Sequence, residues 1–135
     1  MNDELKGKTA LVTGSSRGIG RAAAVALAQA GADVAVNYLA NEVEAKKTCA
    51  DIEQTGRRSV AIRADVSLSD HVSRLINEVR ESLGDVSILV NNAGIGPRKP
   101  FSEVTEEDWD QVLRINLKSM FLITQAVLPA MRARR

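Results

Sequence analysis

The stretch of this chain best equipped for chemistry is Thr13-Gly14-Ser15-Ser16-Arg17-Gly18-Ile19-Gly20. It follows an apolar run, Thr9–Val12, and opens into an alanine-rich segment over 21–30. Glycines set between a strand former and a helix former are the layout of a loop that holds a phosphate. One glycine lets the chain turn sharply off the strand. A second lets the backbone approach a pyrophosphate with no Cβ in the way, and a third lets the helix sit close on its strand. The first-turn N–H groups of that helix have no partner inside the helix, and its dipole favours an anion there. The spacing is Gly14-x-x-x-Gly18-x-Gly20, and three glycines in a loop also suit a plain turn. The strand before and the helix after tip the reading towards phosphate.

Such a loop needs elements to hold it, and the chain supplies a strand–helix alternation. The first strand is Thr9–Val12 and the first helix 19–30, with Gly31 as its stop. The second strand is 33–37, centred on Val34, Ala35 and Val36. The second helix follows Asn41, an N-cap residue with Glu44 three places on as a capping-box partner, and stops at Gly56. Its residues Ala45, Cys49 and Ile52 share one face. The third strand is 59–64. The third helix starts from Ser67 with Asp70 at N3, carries the stripe Leu68, Val72, Leu75, Ile76, Val79 and Leu83, and ends at Gly84. The fourth strand is 86–91. After a loop broken by Gly96-Pro97 and Lys99-Pro100, Thr105 opens a long last helix with Asp108 at N3, bent at Pro129. Four strands joined by three helices predict an α/β fold: a parallel, doubly wound sheet with right-handed crossovers. Apolar runs, instead of alternating patterns, predict that both sheet faces are covered.

With 135 residues, one domain is expected, and 44% hydrophobic with 26% charged residues is ordinary for a globular chain. A formal net charge of +1 implies no nucleic-acid surface. A single cysteine, Cys49, forms no internal disulfide, and a single histidine, His71, leaves no metal cluster to build. His71 is expected to be solvated, Cys49 to be packed in the core, and Trp109 to anchor the last helix. The N-terminus has no apolar core of signal-peptide length, and no apolar run approaches the ~20 residues of a membrane helix. The expectation is a cytoplasmic protein with no membrane partner.

Several of these motifs, in this order, resemble the short-chain dehydrogenase/reductase family. They are T-G-x-x-x-G-x-G at 13–20, Asp65-Val66 after the third strand, N-N-A-G at 91–94 after the fourth, and Asn116 within R-I-N-L-K-S in the last helix. The strings S-S-R-G-I-G-R and N-N-A-G-I look most like 3-oxoacyl-acyl-carrier-protein reductases, enzymes of fatty acid biosynthesis. The resemblance covers the whole chain. It implies a Rossmann-type sheet with strand order 3-2-1-4. A fifth strand, a serine and a Tyr-x-x-x-Lys motif would then lie beyond Arg135, so residues 1–135 read as the N-terminal part of a single nucleotide-binding domain. The only tyrosine is Tyr38, and its +4 position is Glu42. Of the family's catalytic residues only Asn116 is present, which anchors a water in the family's proton relay, and the chain alone is expected to be inactive.

By the same resemblance, Gly14, Ser15, Ser16, Arg17, Gly18, Ile19 and Gly20 wrap the pyrophosphate and adenosine ribose. Asp65 and Val66 meet the adenine, and Asn92, Ala93 and Gly94 line the nicotinamide ribose. Each has a plainer reading: a serine turn pair, a cap for the third helix at Asp65, an Asn-rich turn, a kink-stabilising or solvated amide at Asn116. Cofactor choice follows from charge. NAD readers place Asp or Glu at the end of the second strand to accept from a ribose hydroxyl. Asn37 stands there, and Arg17 in the loop is able to pair a phosphate bidentately. NADP(H) is therefore expected over NAD(H), no metal is expected, and the reaction is hydride transfer between nicotinamide and a carbonyl or alcohol carbon.

The substrate implied is a small or carrier-bound carbonyl compound, and the full-length form is expected to self-associate through its last helix. The basic end, Arg132, Arg134 and Arg135, either complements the helix dipole or greets an acidic carrier protein. Two other readings stand beside the reductase: a non-catalytic NADP(H)-binding module, and a nonfunctional truncation product. In the latter, Ile88, Leu89 and Val90 form an exposed apolar edge, and poor solubility is expected.

Overall fold

The computed structural model describes residues 2–135. Its strands are β1 (Thr9–Val12), β2 (Asp33–Tyr38), β3 (Ser59–Arg63) and β4 (Ile88–Val90). All pair in parallel, in the order β3-β2-β1-β4, as the resemblance implied. Its helices are α1 (Gly18–Gln29), α2 (Glu42–Gln54), α3 (Ser69–Ser82), α4 (Glu106–Leu113) and α5 (Ser119–Arg134), with a single 3₁₀ turn at Phe101–Glu103. Among the described residues, no helix is long and apolar enough to cross a membrane.

Alternation along β1 divides the core into two layers. Ala10 and Val12 point to one face, with Val34 and Val36 of β2, and are covered by Ala24 and Ala28 of α1 and Ala45, Cys49 and Ile52 of α2. Leu11 and Ala35 point to the other, covered by Val72, Leu75, Ile76 and Val79 of α3 and Ile123 and Val127 of α5. A fully buried aliphatic side chain of this kind contributes about 1.5–3 kcal/mol. Burial on both faces is what the continuous apolar strands foretold. β4 pairs with β1 alone, so its other edge is unpaired among the described residues.

Four expectations about elements are corrected. Ser67 does not cap α3: its N–H and its hydroxyl both donate to Asp65 Oδ1, at 3.0 and 2.6 Å, and α3 starts two residues later. A short aspartate side chain captures local donors and turns the backbone before a helix is able to start. Leu68 is thereby left 44% exposed and drops out of the stripe. Glu44 completes only half of a capping box. Its N–H donates to Asn41 Oδ1, but its carboxylate pairs with Lys47 and Arg21, and the Lys47 bond holds that carboxyl below the usual range. Trp109 anchors nothing inside, being 59% exposed.

The long last helix is not uniform. Thr105 caps α4 in a full capping box with Asp108, whose carboxyl is held low by Lys99 and by the Thr105 N–H. Between α4 and α5 the chain takes one π-helical turn, Arg114–Lys118. α5 then runs through Pro129 to Arg134 without a break. Pro129 does not interrupt α5, and the departure from α-helical register falls about thirteen residues earlier, around Asn116, a distortion of the kind that recurs at functional sites.

Candidate cofactor cleft

A cleft of about 410 Å³ opens at the C-terminal ends of the strands. In an open parallel sheet that is where ligands bind, at the point where the strand order reverses. Its wall is built from four loops: Gly14, Ser16 and Arg17 after β1; Asn37, Leu39, Ala40 and Asn41 after β2; Ala64, Asp65 and Val66 after β3; Asn92, Ala93, Gly94 and Ile95 after β4. Ile115 of the π turn closes one side.

The glycine loop is shaped by two contacts. Gly14 has φ +60°, and a Cβ there would sit 2.9 Å from Ala93 Cα. Gly20 lies on the buried side of α1, where a Cβ would fall 2.5 Å from both Gly14 O and Asn92 Nδ2. The first intrahelical bond of α1 runs from Arg21 N–H to Arg17 O, so the N–H groups of Gly18, Ile19 and Gly20 have no intrahelical partner. Arg17, the exposed N-cap residue, caps nothing with its side chain and forms no ion pair among the described residues.

The loops are stapled to each other by buried polar groups, and none of those side chains lacks a partner among the described residues. Thr13 Oγ1 accepts from the N–H groups of Asn92 and Ala93, both at 3.0 Å. Asn92 Nδ2 donates to the carbonyls of Thr13 and Gly14, also at 3.0 Å. Thr13→Val, equal in shape, removes the acceptor for two N–H groups at once. Unfolding in urea is expected to show a loss of about 2 kcal/mol, since orphaned donors cost more than the bond itself was worth. An unchanged midpoint would contradict the staple.

Asn37 is 2% exposed and spends its whole amide internally. Its Oδ1 accepts from Gly14 N–H at 3.2 Å, and its Nδ2 donates to Ala64 O at 3.2 Å and Ile62 O at 3.4 Å. It therefore ties the glycine loop to β3. Ser15 is likewise consumed: fully buried, its hydroxyl donates to Val12 O and its N–H to Asn37 O. At the far end Asn116 clamps Ile95, accepting from its N–H at 2.7 Å and donating to its O at 2.8 Å.

Of the residues singled out from sequence, Gly14, Ser16, Arg17, Asn37, Asp65, Val66, Asn92, Ala93 and Gly94 meet around the cleft. Ser15, Gly18, Ile19 and Gly20 are not on its wall. Gly20 is buried, while Gly18 and Ile19 are exposed on the first turn of α1. Asn116 also stands off the wall, behind Ile95. Sequence reasoning missed Leu39, Ala40, Asn41, Ala64, Ile95 and Ile115, of which the first three were signalled by their place directly after β2. His71, expected in solvent, is partly buried, and its Nδ1 accepts from Asp65 N–H at 3.0 Å. Cys49 is packed as expected; burial raises its thiol pKa, which leaves it protonated near neutral pH.

The chain is similar in sequence and in fold to known proteins. A hydroxynaphthalene reductase-like protein, Arp2, of Metarhizium guizhouense is 47% identical over 121 residues, which cover 90% of this chain and 45% of that one. A 3-oxoacyl-acyl-carrier-protein reductase of Staphylococcus epidermidis is 44% identical over 128 residues, covering 95% and 52%. A short chain dehydrogenase of Burkholderia cenocepacia, solved in complex with NADP, superposes with a TM-score of 0.88 at 42% identity, covering 93% of this chain and 51% of that chain. The chain spans about half the length of the curated relatives it matches. The model of the short chain dehydrogenase family matches residues 8–135, and with strand order, glycine loop and cleft all in agreement, this chain belongs to that family.

Proposed function

We propose that this chain forms the cofactor-binding part of an NADP(H)-dependent oxidoreductase acting on a carbonyl or alcohol, of the 3-oxoacyl-carrier-protein reductase type. The observation that carries the reading is the cleft itself. Gly14, Ser16 and Arg17 line it, the first turn of α1 beside it has three N–H groups without intrahelical partners, the Arg17 guanidinium forms no ion pair among the described residues, and no carboxylate stands at the end of β2. A pyrophosphate suits those N–H groups, and a ribose phosphate the guanidinium. When bound, the dinucleotide supplies the hydride chemistry. This chain's own residues bind and orient it: Gly14, Ser16, Gly18 and Ile19 through backbone at the pyrophosphate, Asp65 and Val66 at the adenine, and Asn92, Ala93 and Gly94 at the nicotinamide ribose. Ser15, Gly20 and Asn37 serve by shaping the loop. Asn116 steadies Ile95 at the reacting end, and the π turn that carries it is where a water of the proton relay would be held.

Arg17→Ala is expected to weaken NADPH binding about ten-fold or more while leaving NADH unchanged, because a charge-assisted bond to phosphate is lost and nothing else. Equal losses for both cofactors, read by fluorescence titration, would sink the phosphate assignment.

A second reading for residues 1–135 taken alone is a binding module that takes up NADP(H) without turnover. The substrate proposed for the whole protein is a small or carrier-bound carbonyl compound, the arginines near 132–135 suiting an acidic carrier. The outward face of α4, the π turn and α5, with Trp109, Leu113, Leu117 and Phe121 between 40% and 62% exposed, supports self-association of the whole protein.

A further inference from the structure

We propose that His71 is a positioning residue for the adenine end of the cleft. The inference rests on the assignment of Asp65 and Val66 to the adenine. The loop between β3 and α3 brings Ala64, Asp65 and Val66 to the cleft, and several contacts fix it. Asn37 holds the carbonyl of Ala64, Ser67 occupies Asp65 Oδ1, and Leu68 N–H closes the turn on Asp65 O. The Asp65 N–H donates to His71 Nδ1 at 3.0 Å. That bond ties the loop to the first turn of α3, six residues along, and α3 is itself fixed to the core by Val72, Leu75 and Val79.

The geometry separates the work of the two side chains. Asp65 offers one carboxylate oxygen to Ser67, which leaves Oδ2 for the cleft, while His71 sets the height of the peptide that carries it. His71 does not line the cleft, so it acts through Asp65 alone. Without it, Asp65 N–H keeps no protein partner and the loop samples positions in which Oδ2 is displaced. Asparagine at this position keeps an acceptor, since its Oδ1 stands at the same place along the side chain as Nδ1 of histidine. Alanine does not.

The test compares His71→Ala, His71→Asn and Asp65→Ala in the 135-residue chain, each titrated with adenosine monophosphate and with nicotinamide mononucleotide. His71→Ala is expected to weaken adenosine monophosphate about five-fold, the worth of one hydrogen bond, and to leave nicotinamide mononucleotide unchanged. His71→Asn is expected to restore wild-type binding. Amide exchange at Asp65 is expected to speed up in His71→Ala and to recover in His71→Asn. Should His71→Ala bind adenosine monophosphate as the wild type does while Asp65→Ala does not, the positioning role is refuted and the adenine assignment stands. Equal weakening of both nucleotides would also refute it, because a loosened fold would do the same. If Asp65→Ala itself binds normally, the adenine assignment fails and the role of His71 falls with it.

Discussion

Gly20→Ala is expected to destabilise the chain by about 3 kcal/mol and to abolish nucleotide binding, whereas Gly18→Ala is expected to cost only about 1 kcal/mol. The two glycines lie two positions apart in α1, yet their surroundings differ. A Cβ on Gly20 would sit 2.5 Å from Gly14 O and 2.9 Å from Ser15 Cα, which are backbone atoms that do not swing aside. It would also meet Asn92 Nδ2, the donor that binds Thr13 O and Gly14 O, so the added methyl separates α1 from its strand and opens the staple together. Gly18 has φ +60° with nothing within 4 Å, so alanine there meets a left-handed backbone penalty and no clash. Thermal unfolding distinguishes them: a midpoint lower by roughly 10 °C for Gly20→Ala, and by a few degrees for Gly18→Ala. Equal small shifts would mean that α1 stands further from β1 than described.

Asn37→Asp is the second large effect, and its direction runs against a simple charge argument. A carboxylate at the end of β2 is the usual mark of an NAD reader. Here Asn37 Nδ2 faces the carbonyls of Ala64 and Ile62 in a site 2% exposed to solvent. An aspartate would turn an acceptor oxygen on two acceptors and bury an unpaired charge, at a cost of about 3–5 kcal/mol. The variant is thus expected to lose stability and bind neither cofactor well, rather than to exchange NADP for NAD. The acid's folded-state pKa would rise above its unfolded value of ~3.9, because only the protonated form donates to those carbonyls. Its deficit relative to wild type is therefore full above that raised value and shrinks as the pH falls through it. Chemical denaturation of both proteins at pH 7 and pH 5 measures this, with the smaller gap expected at pH 5. A stable variant with improved NADH affinity would show that Asn37 reads the ribose and braces nothing.

Much of this was legible in the residues. The strand–helix alternation, the strand order implied by the family motifs and the cleft-forming glycines all follow from local conformational needs that few residue types meet. Glycine at 14 is dictated by a positive φ and a close neighbour, and apolar runs such as Ala10 to Val12 by burial on both faces. What escaped are pairings between distant segments. Asn37 reads as a surface selector by position, yet its amide is spent on residues 23 and 27 away in sequence. His71 reads as a helix-surface residue because periodicity says nothing of a backbone donor in the preceding loop. Ser67 reads as a cap because its type suits one, and the competing carboxylate of Asp65 decides otherwise. The exposure of Trp109 was hidden for a different reason: helical spacing marks an apolar face but not what covers it.

The most direct test of the cofactor assignment is calorimetric titration of the 135-residue chain with NADPH and with NADH. One saturable site that prefers NADPH by ten-fold or more is expected, from one charge-assisted pairing at Arg17. No heat of binding with either nucleotide, or equal affinity for both, would contradict it.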